Sequence, residues 1–281
     1  MLRQRVITAL VLVAVLLATL AARSPWPFAV LTLALMAAGG WEWARLNQAT
    51  RALNWALGGA VVLGGMAAMA VGWTQRVPAA LWWLGLALWV LGGAWALRVG
   101  PEGWPRVARP LRWLLGVAAI WLAWLAVAQA RTISINLLLS VLCLVWMADV
   151  AAYFGGRAWG RAKLAPSISP GKSWAGVWTG MAGVQLLAVF WIWLDRRYGF
   201  DGSSLYTRLY VHGGAVGLAV ALVLLSALSV VGDLVESLVK RAAGAKDSSQ
   251  LLPGHGGVLD RVDALLPTLP AAMALVAWVS G

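Results

Sequence analysis

The chain has 281 residues, of which 62% are hydrophobic and only 11% charged. A soluble domain carries about 25% charged residues, so this composition excludes an ordinary soluble protein and leaves a polytopic membrane protein. The net charge of +12 would point to nucleic acid in a soluble chain; here basic loops kept on the cytoplasmic side of a bilayer account for it without nucleic acid. Cys143 is the only cysteine, and His212 and His255 are the only histidines. That excludes an intrachain disulfide, a thiolate metal site and a histidine-rich metal site. The 20 Trp suit the two interfacial belts of a membrane protein.

Arg3 and Arg5 precede an apolar run over 6–22. The run has the form of a signal peptide as well as of a first helix, and the many apolar segments after it favour the helix. Further runs cover 27–44, 53–72, 79–97, 111–129, 132–154, 173–194, 209–231 and 264–280. Each is close to the ~20 residues that cross a bilayer as helix. Long non-alternating runs do not make a membrane barrel, so the expectation is an all-α polytopic protein with about nine transmembrane helices. With the N-terminus in the cytoplasm, Arg23, Arg76, Arg131, Arg196, Arg197 and Arg208 fall outside and the other sixteen Lys and Arg inside. The positive-inside rule supports that orientation. It predicts a multi-pass protein of a cell membrane whose 155–172 and 232–263 segments face the cytoplasm.

The pattern divides into N-terminal helices, 1–130, and a C-terminal region, 131–281, that carries most polar residues and is expected to build the site. In the first part Glu42, between Trp41 and Trp43, is read as a carboxylate that snorkels to the interface and pairs with Arg45. The basic, Pro-rich 98–112 loop and the mixed charges of 195–208 are read as solvated surfaces, and His212 as interfacial. Asp149 differs, because a charge inside a helix costs roughly 2.5–3.5 kcal/mol at mid-bilayer. It shares a helix face with Tyr153. The two readings are a polar wall of a site and a carboxylate satisfied by a nearby Arg. Gly171-Lys172-Ser173 suggests a Walker A loop, but Pro166 stands where that motif needs Gly. The segment can still hold an anion through Ser169, Lys172, Ser173 and the N–H groups that open the next helix.

Gly232–Asp263 is the most polar stretch, with five of the ten acidic residues. Continued as helix, 232–243 puts Asp233, Ser237, Lys240 and Arg241 on one broad face, with Glu236 beside Asp233 and Lys240. Asp260 and Asp263 share a face at the start of the last helix. Pro253-Gly254-His255-Gly256-Gly257 between them forms a turn, which brings two acidic helix ends together. Carboxylates placed so close repel unless cations lie between them, and an oxygen donor set favours Mg²⁺ over Zn²⁺. For each acid the plainer reading is a salt bridge. For Lys240, Arg241, Lys246 and Arg261 it is a positive-inside charge, and for His255 a turn residue.

The spacing of Ser237, Lys240-Arg241, Lys246-Asp247, His255-Gly256-Gly257, Asp260-Arg261 and Asp263 resembles the C-terminal signature of phosphatidate cytidylyltransferases, also called CDP-diacylglycerol synthases. The resemblance reaches back through Asp149, Tyr153, Gly156, Gly160, Lys163-Leu164-Ala165-Pro166 and Ser169-Pro170-Gly171-Lys172-Ser173-Trp174. The chain departs from it at Ala175, where the family usually has Glu, and at Val150-Ala151. The resemblance implies transfer of a cytidylyl group from CTP to phosphatidate, giving CDP-diacylglycerol and pyrophosphate in phospholipid biosynthesis. The phosphatidate phosphomonoester has a second pKa near ~6 and is already a nucleophilic dianion at pH 7, so the barrier is anion meeting anion. It implies Asp233, Asp260 and Asp263 as metal ligands for Mg²⁺, with a second cation of which K⁺ is a candidate. Lys240, Arg241, Lys246 and Arg261 would bind phosphates, His255 would orient a phosphate or water, and Asp247 would join the catalytic set. Asp149, Tyr153, Lys163, Ser169, Lys172 and Ser173 would bind substrate, and the resemblance suggests a homodimer. The rival readings are a CTP-dependent transferase or kinase for an isoprenoid ether or polyprenol, and an ion transporter lined by Asp149, Asp233 and Asp260.

Overall fold

Helices occupy the apolar runs because a bilayer offers no water to backbone N–H and C=O groups, and a helix satisfies them within one segment. In this computed structural model residues 2–280 are described, with the side chains of residues 2–7 and Ala9 left outside the description. Arg3 and Arg5 fall in that outer stretch. Helix α1 runs Leu2–Leu20, α2 Trp26–Leu46 and α3 Arg51–Ala70. Helix α4 (Ala79–Ala87) continues through a π-helical turn at Leu88–Gly92 into α5 (Gly93–Gly103). Then come α6 (Arg109–Ile133), α7 (Ile135–Trp159), a hairpin of β1 (Lys163–Ala165) and β2 (Ser169–Ser173), and α8 (Trp174–Arg197). Helix α9 (Leu205–Ala242), the short α10 (Leu259–Val262) and α11 (Leu265–Ser280) complete the chain. Among the described residues seven helical segments are long and apolar enough to cross a membrane. The all-α expectation holds apart from the antiparallel hairpin, in which Lys163 faces Ser173 and Ala165 faces Ser169.

Helix α9 sets the geometry of the rest. Its 38 residues break at Gly214, where φ is +62°, and the 28 residues over 215–242, at 1.5 Å each, still make about 42 Å of helix, longer than the ~30 Å hydrocarbon core. Part of it must therefore lie beyond that core. The apolar residues fill its first three-quarters, and Asp233, Glu236, Lys240 and Arg241 its last turns. Helix α11 packs against α9 and also against α4 and α6, so the chain's end is wedged between its two halves. Helix α7 runs five residues past its predicted end, through Gly155-Gly156. Packing explains this: a methyl at Gly155 would strike Thr179, and methyls at Gly176 and Gly180 would come within 3.0 and 2.9 Å of the carbonyl oxygens of Ala152 and Ala148. Small residues four apart let the α7 and α8 backbones approach, as in membrane helix pairs generally.

Two loops read as solvated surfaces do expose most of their charges, Glu102, Arg106, Arg196, Arg197 and Asp201 among them, and each also carries buried or bonded structure. In the 98–112 segment Trp104 is 3% exposed, and its indole N–H donates to Asn47 Oδ1 at 2.9 Å. At the end of the bundle opposite the polar stretch, Asp195 accepts from the Ser204 N–H (3.0 Å), the Ser204 and Thr207 hydroxyls (2.6 Å each) and the Asn136 amide (2.9 Å). Asp201 caps α7 by accepting from the N–H groups of Ile135 and Asn136, at 2.6 and 3.1 Å. Asp195→Asn replaces an acceptor by a donor facing donors. It is expected to lower stability by about 1–3 kcal/mol, read as an earlier thermal melt in detergent.

Candidate active site

The polar end of α9 meets α10 and the start of α11 because Gly232 has no side chain. A methyl there would lie 2.7 Å from the Pro267 ring and closer still to the Asp263 carbonyl. Four acids and two lysines result from this meeting. Lys240 Nζ lies 2.6 Å from Glu236 Oε2 and 2.6 Å from Asp260 Oδ1. Glu236, 2% exposed, makes no hydrogen bond beyond that ion pair among the described residues. Asp233 pairs with Lys172 of β2, and its other oxygen is 3.4 Å from the Ser237 hydroxyl. Asp263 accepts only from its neighbour Ala264 N–H at 2.7 Å, and no Lys or Arg among the described residues reaches it. It lies close enough to Asp233 for the two charges to repel. Four formal negative charges face two positive ones: Lys172 offsets Asp233 and Lys240 sits between Glu236 and Asp260, so each side keeps one formal negative charge, and on the Asp233 side it is that of Asp263.

Asp260 is engaged by the loop before it and by Lys240. Its Oδ2 accepts from the Ser248 N–H (2.9 Å), the Ser248 hydroxyl (2.9 Å) and the Gly257 N–H (2.8 Å), while Oδ1 takes Lys240. A carboxylate offers about four acceptor positions, so this one is full. Among the described residues no three Asp, Glu, His or Cys side chains converge as a preformed metal cage. Magnesium does not need one: it keeps several waters and is held by one or two carboxylates together with substrate phosphates. Asp263, which no lysine or arginine among the described residues reaches, and its neighbour across the helix junction Asp233, which Lys172 pairs, can supply those one or two carboxylates. Asp260 can do so only by releasing Lys240.

Beside this cluster a cleft of about 470 Å³ opens between α7, α8 and α9. Asp149, Tyr153, Lys172, Ser173 and Asp233 line its polar part, and Val177, Met181 and Val230 its apolar part. The structure thus brings together Asp149 and Asp233, 84 positions apart in sequence, around Lys172. Among the described residues Asp149 makes no ion pair with an Arg. Ser173 also caps α8, accepting from the Gly176 N–H at 3.2 Å. Lys163 and Ser169 sit on the hairpin and do not line the cleft.

The remaining predicted residues shape the loops around the cluster. Arg241 donates to the carbonyls of Ile168 and Ala245, tying the hairpin to α9. Arg261 donates twice to the His255 carbonyl, at 2.9 Å from Nε, and so clamps the glycine turn. His255 Nδ1 lies 3.4 Å from the Pro253 carbonyl. Lys246 and Asp247 are exposed and make no ion pair among the described residues. Gly254 and Gly256, at φ +78° and +81°, supply the left-handed backbone the turn requires.

Sequence reasoning placed Glu42 wrongly. It does not snorkel and does not pair with Arg45. It is fully buried and accepts from the N–H groups of Val258 (2.9 Å) and Leu259 (2.7 Å), the Ser248 hydroxyl (3.1 Å) and the Ser249 hydroxyl. Arg45 donates instead to the Ser248 carbonyl. The cleft also holds two hydroxyls that went unnoticed, Ser226 and Ser229, 2% and 1% exposed, of which Ser226 Oγ has no partner. Their spacing of 4 and 7 from Asp233, one and two helical turns back, was the available signal.

Residues 3–279 match the cytidylyltransferase family. A phosphatidate cytidylyltransferase of Pseudomonas aeruginosa is 37% identical over all of this chain and 98% of its own length. One of Haemophilus influenzae is 36% identical over 96% of both chains, and one of Brucella melitensis is 48% identical over 47% of this chain and 42% of its own. With the family matched from end to end around an acidic, lysine-buttressed site at the end of a long membrane helix, the chain belongs to the cytidylyltransferase family.

Proposed function

We propose that the protein transfers the cytidylyl group of CTP to phosphatidate, giving CDP-diacylglycerol and pyrophosphate in phospholipid biosynthesis. The observation that carries this reading is Asp263, without a cationic partner among the described residues, next to the Lys172–Asp233 pair and beside a cleft that is polar at one part and apolar at another. A lipid phosphate requires both environments at once. Full-length similarity to relatives bearing that activity's name supports the same substrates.

In the reaction a phosphatidate oxygen forms a bond to the α-phosphorus of CTP, and the bond from that phosphorus to the bridging oxygen breaks, releasing pyrophosphate. Asp233 and Asp263 would hold Mg²⁺, which when bound neutralises phosphate charge and polarises phosphate oxygens. Asp260 joins them only in exchange for Lys240. Lys172, its side chain 25% exposed on the cleft wall, attracts a phosphate. Lys240, 12% exposed between two acids, holds Glu236 and Asp260 in place. Arg241 and Arg261 spend two donors each on backbone carbonyls, and a guanidinium has five N–H groups, so each retains donors for phosphate. Lys246, Asp247 and His255 complete the rim, with Tyr153, Lys163, Ser169 and Ser173 on the substrate side. The site faces the cytoplasm, on the excess of Lys and Arg around it. A homodimer and a second cation such as K⁺ rest on the family resemblance.

Pyrophosphate release by purified protein with CTP and Mg²⁺ tests the acceptor. It is expected with phosphatidate and absent with polyprenol or an isoprenoid ether alone. Release with those acceptors and none with phosphatidate would overturn the assignment.

A further inference from the structure

Glu42 lies on α2, more than 200 positions before the loop it touches. Its carboxylate is fully buried, has no cationic partner among the described residues, and is filled by two backbone N–H groups and two hydroxyls. A buried charge without a counter-ion is retained only where donors replace its water. All four donors come from one segment, 248–259. Three other contacts bind the same segment to α2 or leave no slack beside it. Arg45 donates to the Ser248 carbonyl, a methyl at Gly39 would press Leu259 at 3.3 Å, and a methyl at Gly257 would collide with the Ser248 hydroxyl and Glu42 itself.

The same segment supplies three of the four donors that fill Asp260. The Ser248 hydroxyl lies 3.1 Å from Glu42 Oε2 and 2.9 Å from Asp260 Oδ2, and its single proton serves both. A continuous line of polar contacts thus runs from Glu42 through Ser248 and Asp260 to Lys240 and Glu236.

We infer that Glu42 is a positioning residue of the site: an acceptor from the N-terminal half that fixes the 248–259 loop, and through it the Asp260–Lys240 pair, in the geometry that cytidylyl transfer uses. This rests on the function proposed above. It accounts for a buried, unpaired carboxylate in a helix otherwise free of acids.

The experiment compares wild type, Glu42→Gln and Ser249→Ala with Asp195→Asn, a carboxylate of similar bonding at the opposite end of the bundle. Hydrogen exchange without substrate is read alongside kcat and KM for CTP and phosphatidate, per folded molecule. Glu42→Gln turns an amide N–H₂ toward donors. It is expected to speed exchange in 248–259 and to lower kcat about 10- to 100-fold, the usual cost of losing such outer support, with both KM values within about twofold. Ser249→Ala removes one donor and is expected to show the same split at about threefold. Asp195→Asn is expected to melt earlier with kcat unchanged. Wild-type kcat in Glu42→Gln overturns the inference, as does a fall in kcat with exchange raised equally throughout the chain. Should Glu42→Gln not fold, Ser249→Ala decides: local exchange with reduced kcat supports the inference, and wild-type values overturn it. Inactive wild type would instead count against the proposed reaction, while faster 248–259 exchange in Glu42→Gln would still show the loop anchored.

Discussion

Asp263→Asn is expected to lower cytidylyl transfer by about 10²- to 10³-fold, the range for losing one group that stabilises transition-state charge, while making the metal-free protein more stable. Asp263 is the acid of the cluster with no lysine partner, and it faces Asp233. Its one hydrogen bond, from the Ala264 N–H, survives because an amide oxygen accepts as well as a carboxylate oxygen. The substitution therefore removes a half-buried like charge and leaves no donor unsatisfied. In EDTA the melting temperature should rise by about 2 °C, equivalent to roughly 1 kcal/mol for a chain of this size. With Mg²⁺ added the order should narrow or reverse, since a ligand that binds only the folded state stabilises the protein that binds it better. Such a trade of stability for activity is expected where repulsion is maintained for function. A destabilised Asp263→Asn protein in EDTA would show that Asp263 is a structural acceptor.

Lys240→Met is expected to cost both activity and fold, because it strands two acids at once. Glu236 has no other partner and is 2% exposed, and breaking a buried ion pair by removing one member costs about 3–5 kcal/mol. Asp260 keeps its three loop donors. The double variant Lys240→Met/Glu236→Gln should then recover more than half of the lost stability, since the stranded charge is gone. It should not recover activity, because Asp260 still lacks its lysine. Denaturation and turnover of the two single variants and the double variant check this. Recovery of turnover with stability would reduce Lys240 to a structural counter-ion.

The helices were legible because a bilayer demands apolar runs of fixed length, and the polar stretch was legible because charge is conspicuous in so apolar a chain. The pairing within the stretch was not. Lys240 stands one helical turn from Glu236, yet its bond to Asp260 depends on a turn that spacing does not measure. Lys172 reaches Asp233 from 61 positions away. Strands of three and five residues, Lys-Leu-Ala and Ser-Pro-Gly-Lys-Ser, carry no apolar alternation, so the hairpin had no periodic signal. Glu42 shows the limit most directly. Its neighbour Arg45 supplied a local partner by helix spacing, and tertiary contacts overrode it. In the outer loop Asp201 is exposed as read and also caps α7, whereas Asp195 looks solvated in sequence and is filled by donors once α7, α8 and α9 meet.

The central claim is that the α-phosphate of CTP, and not its γ-phosphate, is carried to phosphatidate at the junction of α9 and α11. The most direct measurement supplies the purified protein with phosphatidate, Mg²⁺ and CTP labelled in parallel at the α or the γ position, and follows the label into lipid and water-soluble fractions, with Asp233→Asn alongside. The account predicts α-label in CDP-diacylglycerol, γ-label only in pyrophosphate, and neither transfer in the variant. Label from the γ position in the lipid would make the protein a kinase, and undiminished transfer by Asp233→Asn would move the site away from this junction.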